Sequence, residues 1–356
     1  MKTYRIKDIA DMSGVSTGTV DRILHKRGRV SIEAQEKVAK VLKEIDYQPN
    51  LIARSLALKK KYNLIVLTPQ PAKGEYWAKL AEGVGRAEKE LFSYHVNVKR
   101  LCFDQYNKNS FDAIIPLVAL SECHGVVIAT LFRESVMELA VALDAAGIPY
   151  VLIDAYIEGT NCVAYYGTHS YDSGYIAGRL MLGQIRRDDD IAVFYFNRKS
   201  EYKSTQVSKR EEGFCDYVRH HRHEGRICTV EINADGDGDG DSNNEAVLDD
   251  FFDKNPNLKA GIIFNSRASL LCNYLVKRNG MEDFKLIGYD VLDGNVGFLR
   301  SGLITHLIAQ RPEVQGLHAV KALFRHLVMK EDIEQVNYMP IDVLMKENIA
   351  YYNNYI

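Results

Sequence analysis

Hydrophobic positions change their period along the chain. Between Ile6 and Ile45 they fall at helical spacing: Ile6, Ile9, Ala10 and Val15, then Val20, Ile23 and Leu24, then Ala34, Val38, Leu42 and Ile45. This spacing predicts three short helices. Ser16 stands at the N-cap of the second. Ser31 caps the third, with Glu33 in its first turn, where acceptors and negative charge suit the unpaired N–H groups. Gly14 separates the first two helices, where a tight left-handed turn is expected. Pro49-Asn50 ends the pattern. Residues 50–58 have the make-up of one more helix, too short to stand alone, and Lys59-Lys60-Lys61 follows.

From Tyr62 short apolar runs alternate with amphipathic stretches. LIVLTP (64–69) precedes a helix at 75–93, VNVKRL (96–101) one at 109–122, and GVVIAT (125–130) one at 133–146, before PYVLID (149–154). The alternation restarts with a helix at 172–187, then IAVFYF (191–196) and a helix at 208–222. RICTVEI (226–232), AGIIF (260–264), KLIGYD (285–290) and ITHLIA (304–309) follow, with helices at 243–253, 266–279 and 291–301 between them. Apolar strands separated by helices imply parallel sheets covered on both faces. The expected fold class is α/β: an all-α helix-turn-helix head, then two doubly wound parallel-sheet lobes with a cleft at the carboxyl ends of their strands.

Composition narrows the classes. The 356 residues are 46% hydrophobic and 26% charged, which excludes a disordered chain and leaves room for two or three cores. No run approaches the length of a membrane span. Lys2, Arg5 and Lys7 have no apolar run behind them, so no secretory signal is read. The six cysteines are scattered without a CxxC pair, which points to a reduced, cytoplasmic protein. The overall charge of −2 hides an asymmetry: residues 1–61 carry a net +7 and the rest a net −9. A basic head on an acidic body suggests a polyanion-binding module joined to a body with another task.

A helix-turn-helix places the N-terminal residues of its second helix against base edges in the major groove. Here those are Thr17 and Gly18, with Arg22 one turn on, able to pair with guanine. Ser16, Thr19, Lys26, Arg27 and Arg29 suit phosphates, which fix register. The segment IKDIADMSGVSTGTVDRILHKRGRVSIEAQEKVAKVLKEIDYQPNLIARSLA (6–57) resembles the head of the LacI family of bacterial transcription regulators. KDIA, SGVS, TV.R.L, VS at 30–31 and YQPN..ARSL carry the likeness. The body resembles the same family and the related periplasmic sugar-binding proteins, with a Bacteroidetes-type cast.

The resemblance implies a head at 1–49, a hinge helix at 50–61 that forms on DNA, and an effector region at 62–356. Asn50 and Arg54 would contact DNA. Leu56 would act as an apolar wedge in the minor groove, or pair hinge helices across a dimer. Asp21 stands where the family usually has Ser, so a carboxylate beside Arg22 either reads cytosine, holds Arg22, or is simply solvated. The implied partners are palindromic operator DNA, a second copy of the chain, and a small molecule, usually a sugar, held between lobes. The crossings map near Ile157, Arg311 and Glu331. Lobe one is then 62–157 with 312–330, and lobe two 158–311 with 331–356.

By the same resemblance, the effector contacts lie at strand ends. Tyr76 and Trp77 supply rings for sugar faces, or cap the lobe core. Asp154 matches the family's ligand carboxylate. Arg210, in KREEGF, matches its ligand arginine, the alternative being an ion pair with Glu211 or Glu212. Asn265, Asp290 and Gln310 complete the set. Lys73 and His169 are departures, His169 being either a ligand donor or a hydrogen-bonded loop residue. Together with Arg210 they raise the alternative of an acidic or phosphorylated effector, beside a nucleobase or a protein co-regulator.

Other motifs are set aside. The alternating Asp/Gly run at 235–241 resembles an EF-hand start, but the twelfth position is Ala246 and Glu245 is one early. His220, His221 and His223 do not share a face. No P-loop or nucleophile elbow is present. No metal, cofactor or enzymatic activity is expected.

Overall fold

The structure, a computed structural model, describes residues 4–24, 28–45, 61–119, 122–197, 204–233, 243–278, 281 and 283–355. The chain divides into two compact units with a boundary at Lys60 and Lys61. The expected hinge segment, with Asn50, Arg54 and Leu56, lies outside the described residues, as do Lys26 and the acidic run at 235–241.

In the first unit, α1 (Ile6–Ser13), α2 (Thr17–Leu24) and α3 (Ile32–Glu44) enclose a core of Ile9, Ala10, Val20, Val38 and Val41. All but Val41 are positions that the apolar spacing puts on inward faces. Gly14 ends α1 with φ of 68°, and its N–H donates to the Ala10 carbonyl. A side chain there would be strained, so glycine sets the turn into α2. Ser16 Oγ accepts from Thr19 N at 3.1 Å, and Ser31 Oγ from Ala34 N at 3.4 Å, which supplies the expected caps.

The second unit holds two six-stranded sheets. The first joins β1 (Tyr62–Pro69), β2 (Val96–Phe103), β3 (Gly125–Ala129), β4 (Tyr150–Ile153), β5 (Ala164–Gly167) and β11 (Val336–Tyr338) in the order β11-β5-β4-β3-β1-β2. The second joins β6 (Asp190–Asn197), β7 (Ile227–Asn233), β8 (Leu258–Ile262), β9 (Lys285–Tyr289), β10 (Ile304–Ala309) and β12 (Asp342–Leu344) in the order β12-β10-β9-β8-β6-β7. Each has a core of five parallel strands in the same relative order. In both sheets the chain reverses its winding beside the first strand, where a crevice opens.

The crossings lie later than the resemblance implied. β5 pairs with β4 and β11 with β5, so lobe one extends through Gly167 and takes in Val336–Tyr338. The chain changes sheet at 168–169, at 310–311 and at 339–341, rather than near Ile157 and Glu331. AYYG (164–167) is fully buried, and pairing on both edges holds it in lobe one. The expected helix at 109–122 is also two pieces, α5 (Lys108–Asp112) and α6 (Ile115–Ala119). Pro116 has no N–H for the Asp112 carbonyl, and its ring would collide with that carbonyl.

The helices that position the cleft are α4 (Tyr76–Leu91), α7 (Arg133–Ala146), α8 (Ser170–Leu182), α9 (Thr205–His220), α10 (Asn243–Lys254), α11 (Ala268–Leu275), α12 (Asp293–Ser301) and α13 (Pro312–Phe324). α8 and α9 pack at glycine distance. A Cβ on Gly174 would stand 1.8 Å from the Arg210 carbonyl oxygen, and one on Gly213 2.0 Å from that of Tyr171. No side chain fits between these backbones. Gly174→Val is therefore expected to lower stability by about 3 kcal/mol or more and to displace the turn of α9 that carries Arg210. Urea unfolding of the purified variant measures it.

Candidate functional site

On the head, Ser16, Thr17, Gly18, Arg22 and Arg29 are exposed and Thr19 is half-buried, while Val20 on the opposite side of α2 is fully buried. Arg22 Nε donates to the Gly18 carbonyl at 3.1 Å, which lays the guanidinium back along the helix. The expected base-reading and phosphate-binding groups among the described residues thus share the start of α2 and the loop after it. Asp21 is half-buried.

In the second unit a cavity of about 300 Å3 opens where the carboxyl ends of the two sheets face each other. Seven of the nine expected effector residues line it: Tyr76, Trp77, Asp154, Arg210, Asn265, Asp290 and Gln310. Lys73 is exposed on the loop before α4 and does not line it. Nor does His169. Its Nδ1 lies 3.3 Å from Asp172 N at the start of α8, and its ring meets the edge of Tyr338 at 5.0 Å.

Asp154 follows β4 and Asp290 follows β9, the same strand position in each lobe. Both have positive φ, 84° and 68°. That strained conformation turns each side chain across the end of its sheet, a cost of order 1–3 kcal/mol per residue. Arg210, one of the largest fully buried side chains, is 1% exposed. Its Nη1 donates to the Phe264 carbonyl at 2.7 Å, and its guanidinium lies over the Tyr289 ring at 4.1 Å. Nε and Nη2 are buried and have no hydrogen-bond partner. Buried guanidinium donors are rarely left unpaired, so the fork they form is aimed at a guest. The alternative of an ion pair with Glu211 or Glu212 is not what the structure has. Glu211 accepts from the Tyr195 hydroxyl, and Glu212 pairs with Lys209 at 2.7 Å.

Amides join these groups. Gln206 Nε2 donates to Asp154 Oδ1 at 2.8 Å and to Gln310 Oε1 at 3.1 Å, and Gln310 Nε2 donates to Asp290 Oδ1 at 2.8 Å. Gln315 on α13 donates to the Gln310 carbonyl at 2.8 Å. Trp77 Nε1 donates to Gln105 Oε1 at 3.1 Å, and its ring meets Tyr76 edge-on. Asn265 Oδ1 accepts from Arg267 N at 3.1 Å, and Arg267 lies over the Tyr106 ring at 5.0 Å. Gln206, Gln105, Tyr106, Phe132 and Arg267 line the cavity without having been picked out from the sequence. For Gln206 a signal existed: it lies four residues before Arg210, on the same helix face.

Burial pushes the Asp154 carboxyl up to about 7 and the Asp290 carboxyl up to about 6, against the pull of Arg210 on both. The folded chain therefore keeps protons that the unfolded chain releases near pH 4. Stability from these two groups is fully present below that pH and declines as pH rises through 6 and 7, by a few kcal/mol. Urea midpoints measured from pH 5 to pH 8 are expected to fall, and Asp154→Asn is expected to flatten the slope.

Among the described residues no group of His, Cys, Asp and Glu is placed to hold a metal ion. No helix among them is long and apolar enough to cross a membrane.

Residues 65–331 match the model of the periplasmic binding protein domain, and residues 5–50 that of bacterial regulatory proteins of the lacI family. A Bacteroides fragilis crystal structure, described as a candidate LacI transcriptional regulator, is 35% identical at a TM-score of 0.77, covering 83% of this chain and all of that one. GanP, a glucose-galactose binding protein from Geobacillus stearothermophilus, shares the fold at 22% identity and a TM-score of 0.70, over 82% of this chain and 99% of its own. The HTH-type transcriptional repressor PurR of Histophilus somni is 28% identical over 214 residues, and the match spans 59% of each chain. With its capped helix-turn-helix head and its two-lobed cleft, the chain belongs to the lacI family of bacterial regulatory proteins.

Proposed function

We propose that this chain is a cytoplasmic, ligand-responsive transcription regulator that binds palindromic operator DNA as a homodimer and does no chemistry on its ligand. The exposed start of α2 supplies base and phosphate contacts, and two copies present two heads to a two-fold site. The effector is a small neutral molecule rich in hydroxyls, a sugar or sugar derivative, held between the lobes. One observation carries that choice: two unpaired N–H donors of Arg210 and the carboxyl groups of Asp154 and Asp290 line one cavity. A hydroxyl accepts from the arginine and donates to an aspartate at once, which a phosphate or carboxylate cannot do. Two buried carboxylates also repel an anion. With Lys73 and His169 off the cavity wall, the acidic or phosphorylated effector loses its support.

Closure alters DNA affinity only to the extent that effector binds the DNA-competent and incompetent forms unequally. Selection of bound duplexes from random DNA, with and without sugars, tests the regulator. Titrating sugars and sugar acids against the fluorescence of Trp77, the chain's one tryptophan, tests the effector class. A signal from sugar acids but from no neutral sugar overturns it.

A further inference from the structure

Gln206 lies one turn before Arg210 on α9, is buried, and belongs to lobe two. Asp154 belongs to lobe one, and Gln310 sits on the middle crossing between the sheets. Gln206 Nε2 also lies 3.4 Å from the Asp154 carbonyl, so its two hydrogens are engaged by Asp154 and Gln310. The orientation is forced: with the amide turned over, its oxygen would face the Asp154 carboxylate. The Gln310 amide is fixed in the same sense, its oxygen toward Gln206 and its nitrogen toward Asp290 Oδ1. Within lobe one, the Tyr165 hydroxyl is shared between the Asp154 and Thr168 carbonyls, each at 3.2 Å, and so holds the backbone on which this carboxylate turns.

We propose, on the reading of the cavity as an effector cleft, that Gln206 is the positioning residue that sets lobe closure. Its amide clips Asp154 of lobe one to Gln310 on the crossing, and through Gln310 to Asp290 of lobe two. With no hydrogen left to give, Gln206 works through Asp154 and does not donate to the effector. The clip holds both aspartates by Oδ1, so their remaining oxygens meet the effector in a set orientation. Closure is then favoured by a bond within the protein as well as by the guest, and residue 206 tunes how much of the closing free energy the guest must supply.

The test reads the distance between lobes in the full-length chain without effector or DNA. Nitroxide labels are attached to p-acetylphenylalanine placed at Val141 on α7 and at Val276 after α11, both exposed and one in each lobe. Pulsed electron spectroscopy is expected to give one narrow distance for the parent at both pH 8 and pH 5.5. Gln206→Leu keeps the bulk and removes the donors, and its distribution is expected to be shifted and broadened at both pH values. Gln206→Glu is isosteric. At pH 8 its carboxylate faces Asp154, with Arg210, Asp290, Glu75 and Arg267 as the other charged groups on the cavity wall, and the lobes are expected to part. At pH 5.5 the protonated acid can donate to Asp154, and the parent distance is expected to return. A purely structural role for residue 206 would not give that reversal. Parent-like distributions for both variants at pH 8 overturn the clip. Since no ligand enters the measurement, such a result leaves the effector reading to be judged by the sugar titration alone.

Discussion

Replacing Arg210 by leucine is expected to abolish the response to effector and to lower stability by about 3–5 kcal/mol. The guanidinium shares the cavity with two buried carboxylates and pulls on both, donates to the Phe264 carbonyl and lies over Tyr289. Its loss leaves the carbonyl without that donor and both aspartates without their cation. They respond by holding protons to still higher pH, which limits the damage in acid and exposes it above neutrality. The urea midpoint of Arg210→Leu should therefore fall more at pH 8 than at pH 5. Arg210→Lys separates charge from geometry. It should recover much of the stability at pH 8 but not the ligand response, because a single ammonium cannot present two fixed donors to neighbouring hydroxyls. A lysine variant with parent-like effector affinity would show that the fork is not the reader.

Removing residues 1–60 is expected to weaken operator binding by at least about three orders of magnitude, while urea unfolding of the remainder stays unchanged. The two parts have separate cores, one around Ile9, Val20 and Val38, others on the two faces of the second sheet. What remains carries the acidic excess and repels DNA at the salt concentrations where the whole chain binds. Gel-shift titration across a salt series measures the loss. Undiminished binding by the truncated chain would move the reading of DNA away from the head.

The head was legible because each of its devices is local. A serine cap, a glycine in a left-handed turn and a helical apolar stripe act within a few residues of one another. The strand ends were legible for a related reason: in a doubly wound sheet, the residue after an apolar run sits at the cleft. That logic, with the family resemblance, led to Asp154, Asp290 and Gln310. It set Arg210 apart by its KREEGF match, but offered Lys73 and His169 beside it as departures, since these too are polar residues near strand ends or helix starts. Only the packed structure buries the first and leaves Lys73 exposed. The crossings were misplaced because β5 and β11 are short, AYYG and VNY, and owe their pairing to partners far away in the chain. Gln206 went unnoticed because its one signal, a place four residues before Arg210 on the same helix face, does not by itself mark a glutamine out. Its importance comes from what Asp154 and Gln310 bring to it from other elements.

Strand β11 also bears on how the protein is made. Its three residues complete the edge of lobe one, and β12 completes the edge of lobe two only a few residues later. During translation neither lobe can complete its sheet until residues 336–344 have left the ribosome. A premature stop before residue 336 would therefore leave two bare strand edges, at β5 and β10, instead of one sound lobe and one damaged one. Such fragments are expected to reach the cell as aggregates or protease substrates, not as partly working regulators.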